Sequence, residues 1–331
     1  MSNYKAYQVE EISEKNYVGK VVDLDTNDLP EGDVLVRVQY SSLNFKDALS
    51  ASGNKGVTRN FPHTPGIDAA GIVIESTSAD IEVGAEVIIT GYDLGMNTAG
   101  GFGQFVRVPA GWIVHKPADL TLYESMVLGT AGFTAALCVD KLLAAGLQLD
   151  QGDVLVTGAT GGVGSIAVSL LHKLGYSITA STGKQEAEAW LKDIGANNVI
   201  ARQDLSESSS RPLLKEQWAG AVDCVGGHTL FNVIKSLQYG ASVAACGLTE
   251  STELPATVLP FILRGVNLLG VDSVELPQVR KQFIWDLLGS TWKLNDLQAV
   301  AVDIELDDLS RCLSELLKGK VRGRYVLRLG D

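Results

Sequence analysis

At 331 residues the chain is long enough for about two domains and a large buried core. Hydrophobic residues make up 46% and charged residues 20%, with no low-complexity stretch, which excludes a disordered or fibrous chain. Twenty-seven basic against 39 acidic residues leave a net charge of −12, which argues against nucleic acid or an anionic membrane as partner, so an anionic ligand needs a local basic cluster.

The N-terminal Met1-Ser2-Asn3-Tyr4-Lys5 leads into mixed polar sequence without a signal-type apolar core, and no uncharged run reads as a bilayer span, so a cytoplasmic location is expected. Residues 34–40, 70–75, 86–90 and 102–108 read as short strands punctuated by Gly and Pro, a spacing that suggests a distorted antiparallel barrel. From about residue 125, apolar β-branched runs alternate with helical periodicity. Strands are expected at 153–157, 177–181, 198–201, 221–225, 242–246 and 267–272, which makes a doubly wound six-stranded parallel sheet in an α/β fold. Helical segments at 277–288 and 307–317 precede a strand-like tail at 324–329. The expected organisation is a β-rich domain of residues 1–124 with 273–331 and an inserted dinucleotide domain of residues 125–272, framing a cleft.

Cys138, Cys224, Cys246 and Cys312 stand far apart in apolar segments, with no CxxC spacing, and are expected to be buried free thiols. His63, His115, His172 and His228 form no HxxxH or HExxH pattern, so a protein metal site is disfavoured.

The sharpest motif is an apolar strand, residues 153–157, then Gly158-Ala159-Thr160-Gly161-Gly162-Val163-Gly164, then a helix with Val163, Ile166, Ala167, Leu170 and Leu171 on one face. It reads as G-x-G-x-x-G with Ala159 in the first place. Gly161 admits the pyrophosphate to the backbone, Gly164 packs helix against strand, and the helix start supplies N–H groups and a positive dipole end. Thr160, Gly161, Gly162, Val163 and Gly164 are therefore cofactor-binding candidates.

NAD sites usually place a carboxylate at the end of the second strand for the ribose 2′-hydroxyl. Here that place is Ser181-Thr182-Gly183-Lys184. Two hydroxyls and a lysine suit a 2′-phosphate and hence NADPH, with Arg202, at the end of the next strand, as a second cationic partner.

These residues, with the segments at 41–48, 61–71, 129–135, 244–248, 259–264 and 270–273, resemble the zinc-free, quinone-oxidoreductase-like branch of the medium-chain dehydrogenases/reductases, and within it the NADPH-dependent acryloyl-CoA reductases. Zinc-dependent relatives carry a cysteine near Asn44 and a Gly-His-Glu near Gly66-Ile67-Asp68, and both ligand places differ here. The resemblance implies a GroES-like first domain, a Rossmann second domain and NADPH between them. It puts the nicotinamide near Asn44, Phe45, Thr130 and Leu248, with Ile262 also on the cofactor and Ser273 and the Arg322-Gly323-Arg324 region closing its site. It further implies a homodimer, with residues 254–269 as interface. Relatives often have Tyr where this chain has Phe45, and a phenyl ring packs on the cofactor but donates no proton.

No Ser/His/Asp or Cys/His motif is evident, so the expected chemistry is hydride transfer from the nicotinamide. With a conjugated carbonyl, charge develops on the carbonyl oxygen, and Asn44 is the first candidate to meet it. Asp68 either donates a proton or holds Asn44 or Lys46 in place; Lys46 and Asp47 are expected to form ion pairs. The leading substrate is acryloyl-CoA, with a quinone or free enone second and a non-catalytic NADPH-binding role third. Lys55, Arg59, Lys318, Lys320 and Arg322 are candidates for a cationic rim toward a CoA thioester.

Overall fold

The computed structural model describes residues 3–207 and 210–330. They form two compact units, one running to Thr130 and resuming at Val274, the other spanning Ala131–Ser273.

In the first unit β1 (Asn3–Ser13) pairs antiparallel with β2 (Asn16–Asp25). The sequence reading places no strand here, because the buried face of β1 is only Tyr4, Ala6, Tyr7 and Val9, after which polar residues take over. β3 (Val34–Ser42), α1 (Phe45–Ala51), β4 (Asp68–Ser76), β5 (Glu86–Thr90), β6 (Phe105–Val108) and β7 (Ile113–His115) follow. They are joined by α2 (Leu122–Ala144), whose helix is broken at Gly129 by φ 50° and ψ −156°. By length and apolar content α2 could cross a bilayer, which the sequence reading does not count, but 78% of its most apolar window is buried.

The second unit alternates strand and helix: β8 (Val154–Val156), α3 (Gly162–Lys173), β9 (Ile178–Thr182), α4 (Glu188–Asp193), β10 (Asn198–Ala201), α5 (Gln203–Ser206), β11 (Trp218–Asp223), α6 (Gly227–Ser236), β12 (Leu237–Ala245), α7 (Leu259–Arg264) and β13 (Asn267–Gly270). All six strands are parallel in the order β10-β9-β8-β11-β12-β13, the doubly wound arrangement whose ligands bind beyond the carboxyl ends of the strands. Central β8 is buried throughout, each of its side chains contributing about 1.5–3 kcal/mol on leaving water, and β11 begins three residues before its expected start at 221. On α3, Ile166, Ala167, Leu170 and Leu171 are buried at helical spacing.

Back in the first unit come α8 (Gln278–Leu288), β14 (Ala301–Ile304), α9 (Leu309–Leu317) and β15 (Arg324–Arg328). β15 pairs antiparallel with the end of β3, and the sheet runs β14-β15-β3-β4-β5-β7 with β6 also on β3. Its core includes Val36, Val38, Ile89, Phe102 and Val106, closed by Leu309, Cys312 and Leu313 of α9.

Candidate functional site

The second unit presents the glycine turn at the carboxyl end of β8. Gly158 takes φ +60°, Gly161 is the N-cap of α3, and a Cβ on Gly164 would lie 2.4 Å from the Gly158 carbonyl oxygen and 2.7 Å from Ala159 Cα. Only glycine lets the helix start this close to the turn. The first N–H groups of a helix have no intrahelical partner, so Gly162, Val163 and Gly164 present an anion-binding end.

Ser181 and Thr182 end β9 beside that turn: the Ala159 N–H donates to the Ser181 carbonyl at 3.1 Å, and the Thr160 and Thr182 hydroxyls are 3.3 Å apart. The Thr182 hydroxyl also accepts the Lys184 N–H at 3.0 Å. Arg202, just past β10, donates its N–H to the Thr182 carbonyl at 2.9 Å and lays its guanidinium against Gly183, where a Cβ would lie 3.1 Å from Cζ. Hydroxyls, a lysine and an exposed arginine thus gather at one strand end, a donor set that fits a 2′-phosphate.

The carboxyl end of β11 adds Asp223, which the sequence reading does not single out. It is fully buried, accepts from the Thr157 hydroxyl at 2.7 Å and the Gly226 N–H at 2.7 Å, and burial pushes its carboxyl up to about 6. Leu248 follows β12 and is 58% exposed, and Ile262 is exposed on α7. The Ser273 hydroxyl accepts from Thr134 at 2.9 Å.

The first unit joins Asn44, Asp68 and Thr130 in one buried network. Asp68 Oδ2 accepts from the Ser42 hydroxyl at 2.6 Å, Asn44 Nδ2 at 2.7 Å and the Thr130 N–H at 2.9 Å, while Oδ1 accepts from the Thr130 hydroxyl. Arg324, wholly buried, donates through Nη1 to Asn44 Oδ1 at 3.2 Å and the Leu43 carbonyl at 2.9 Å, and through Nη2 to Ser42 Oγ at 2.8 Å. Gly129 threads its backbone between these groups: a Cβ there would lie 2.4 Å from Asp68 Oδ2 and from Ser42 Oγ. Both hydrogens of the Asn44 amide are engaged, the second with the Ser42 carbonyl at a long 3.3 Å. Asn44 is therefore held in place, and only the Ser42 contact is weak enough to yield to a ligand.

Asp47 is held by backbone N–H groups in place of the ion pair expected for it. Its carboxylate accepts the N–H groups of Asn44 at 2.7 Å and Ile67 at 2.8 Å, and burial, with the Asp68 charge adding to it, pushes it up to about 7. Phe45 opens α1 and is 41% exposed. Of the basic rim, Arg59, Lys318, Lys320 and Arg322 are exposed, but Lys55 is bound to Glu11 at 3.2 Å and lies over the Phe61 ring, so its charge is already met.

A zinc ion does not fit these residues. The groups around Asp68 are two hydroxyls, an amide and a guanidinium whose Nη2 is 3.6 Å from the carboxylate, with neither thiol nor imidazole among them. Among the described residues no group of three or more His, Cys, Asp and Glu side chains could hold a metal ion.

Two family models match: the alcohol dehydrogenase GroES-like domain over residues 30–118 and the zinc-binding dehydrogenase over residues 162–289. The putative quinone oxidoreductase YhfP of Bacillus subtilis is 46% identical over 310 residues, covering 93% of this chain and 94% of its own. The probable acrylyl-CoA reductase AcuI of Escherichia coli is 44% identical over 312 residues, 94% and 96% of the two chains. A crystal structure of the yhdH oxidoreductase from Salmonella enterica in complex with NADP superposes with TM-score 0.95 at 43% identity, covering 98% and 99%, and one of yhfP with NAD bound gives 0.96 at 44%, covering 99% and 100%. With a GroES-like part and a doubly wound dinucleotide-type part in one chain, and identities this high over nearly its whole length, the chain belongs to the quinone-oxidoreductase-like, acrylyl-CoA-reductase-like branch of the medium-chain dehydrogenases/reductases.

Proposed function

We propose that the protein is an NADPH-dependent reductase of an α,β-unsaturated acyl thioester, converting acryloyl-CoA to propanoyl-CoA without a metal ion. The observation that carries the cofactor is the cluster of Ser181, Thr182, Lys184 and Arg202 beside the glycine turn, where an NAD site would usually present a carboxylate. The substrate class rests on the 44% identity to AcuI.

When bound, NADPH would supply a hydride for the β carbon of the double bond, and water would supply the proton for the α carbon. The chain's own residues bind and orient. The start of α3 holds the diphosphate through Gly162, Val163 and Gly164, and the β9 and β10 ends hold the 2′-phosphate. The resemblance assigns Phe45, Thr130 and Arg322 of the first unit, and Leu248, Ile262 and Ser273 of the second, to the cofactor. Asp68 and Arg324 fix the Asn44 amide from opposite ends, so that Nδ2 can turn from the Ser42 carbonyl toward the oxygen on which charge develops. Asp68 is then a positioning group rather than a proton donor. The exposed apolar side chains of α7 and β13, at the open edge of the sheet, support a homodimer.

A second reading, an NADPH-dependent quinone reductase, is favoured by the name and the 46% identity of YhfP. Following NADPH oxidation with acryloyl-CoA, with a quinone and with no acceptor decides between them: faster turnover of the quinone replaces the first reading with the second, and no turnover with either removes both.

A further inference from the structure

We propose that Cys224 and Cys246 form a reversible disulfide that weakens dinucleotide binding. The inference rests on the reading of the glycine turn as the dinucleotide site. The two thiols are not buried deep in separate segments, as their sequence positions suggest; both are half-buried, and their sulfurs are 3.9 Å apart. They occupy matching positions on neighbouring parallel strands. Asp223 of β11 is in register with Ala245 of β12, and the Cys246 N–H donates to the Asp223 carbonyl at 2.9 Å, so each cysteine is the first residue beyond its strand. Neighbouring strands run about 4.8 Å apart, inside the Cα separation of roughly 4.4–6.8 Å that a disulfide spans. The sulfurs must close from 3.9 Å to the roughly 2.0 Å of a disulfide bond. The Cys246 thiol lies against the Asp223 carbonyl at 3.4 Å and beside the Cys224 thiol, and its neighbouring thiols lower its pKa, so Cys246 is assigned the attack.

With a peroxide as oxidant the step balances. The Cys246 thiolate attacks one peroxide oxygen and the O–O bond breaks, giving a sulfenic acid and, after protonation, water. Cys224 sulfur then attacks Cys246 sulfur, the S–O bond breaks, and the hydroxide leaves as water with the Cys224 proton. Two thiols are oxidised and one peroxide is reduced to two waters.

The bridge would reach the dinucleotide through close contacts. The Cys224 N–H donates to Thr157 Oγ1 at 3.1 Å, immediately before the glycine turn, and a Cβ on Gly158 would lie 3.3 Å from Cys224 Cβ. On the other side Gly247 is packed so tightly that a Cβ would lie 2.1 Å from the Cys224 carbonyl oxygen. Drawing the sulfurs into a bond therefore displaces either the turn or the segment leading to Leu248.

The test treats the reduced protein with hydrogen peroxide, counts titratable thiols, maps the linked peptides by mass spectrometry and measures NADPH binding before and after dithiothreitol. Two of the four thiols should disappear into a Cys224–Cys246 link, the Kd for NADPH should rise by about fivefold or more, within the range of ordinary linkage, and dithiothreitol should reverse both. Cys224→Ser and Cys246→Ser should each bind NADPH when reduced, form no link at these positions and keep their Kd under peroxide, whereas Cys138→Ser should still form the link and lose affinity. Four intact thiols, a link through another pair, or a link that leaves the Kd unchanged overturns the inference. A reduced protein that binds no NADPH defeats the cofactor reading instead, and the bridge is then decided by mass and thiol count alone.

Discussion

Arg324 Nη2 and Asp68 Oδ2 lie 3.6 Å apart, with side chains 3% and 0% exposed, at the meeting point of β15, β4 and the Gly129 break in α2. A buried pair of this kind is worth little against a well-packed apolar substitute, but removing one partner strands the other charge and costs roughly 3–5 kcal/mol. Asp68→Ala should therefore lower the urea midpoint strongly, and adding Arg324→Met should recover part of the loss. If the double variant is no more stable than Asp68→Ala, the two groups are not energetically coupled.

Gly129 fixes the backbone side of the same network. Alanine there must adopt φ 50° and place Cβ 2.4 Å from two oxygens, both of them held by Arg324 or its neighbours. Overpacking of this kind costs about 1–3 kcal/mol, and the strained dihedral adds to it. Gly129→Ala should lower the Tm by several degrees, whereas alanine at Gly146, also at positive φ but with open space around it, should show only the dihedral effect.

Asp47 makes stability depend on pH in an unusual direction. Its carboxyl titrates at about 7 in the folded chain and at about 3.9 unfolded, so between these values the folded state holds the extra proton. Stability therefore falls as pH rises from about 4 to about 7, and the contribution is fully present only below that window. Subtracting the unfolding free energy of Asp47→Asn from that of the parent at each pH isolates this group from Asp223, which is raised by burial in the same direction. A difference that stays flat or grows across the window would show that Asp47 is charged throughout.

Much of the second unit was legible because its signals are local. The strand, glycine turn and α3 follow within about twenty residues, and period 3.6 separates helix from strand there without any tertiary information. The β1–β2 hairpin was not legible: its inward face is short and includes tyrosines whose apolar rings do not stand out among glutamates. Asn44 and Asp68 could be picked out by comparison with zinc ligands; the resemblance puts Arg324 only in a region closing the cofactor site, and nothing local shows that it meets Asn44 from 280 residues away. The pairing of Cys224 with Cys246 is likewise a matter of strand register, which the spacing of two lone cysteines does not encode.

The phosphate sites separate by substitution. If Lys184 holds the 2′-phosphate, Lys184→Ala should cost about 1.5–3 kcal/mol, or roughly one to two orders of magnitude in NADPH affinity, with NADH little affected. Gly164→Ala instead pushes α3 away from the turn and should weaken both cofactors alike. Equal losses for Lys184→Ala would remove the 2′-phosphate assignment while leaving the turn in place.

The substrate prediction follows from charge. A CoA thioester carries several phosphate charges and the protein −12, so a nucleotide end would need a local cationic rim; Lys55 is bound to Glu11, and Arg59, Lys318, Lys320 and Arg322 are the exposed candidates. Binding energy from that remote end can be used in the transition state, so acryloyl-CoA should show a much higher kcat/KM than a short acryloyl thioester lacking the nucleotide. Raising the salt shortens the reach of exposed charges from about 10 Å at 0.1 M to about 3 Å at 1 M and should shrink that ratio. Replacing Lys318 and Lys320 together by alanine should reduce it further, with the short thioester unaffected. If the two thioesters react equally well at low salt, the nucleotide end makes no productive contact, and a small conjugated carbonyl or quinone becomes the better description of the substrate.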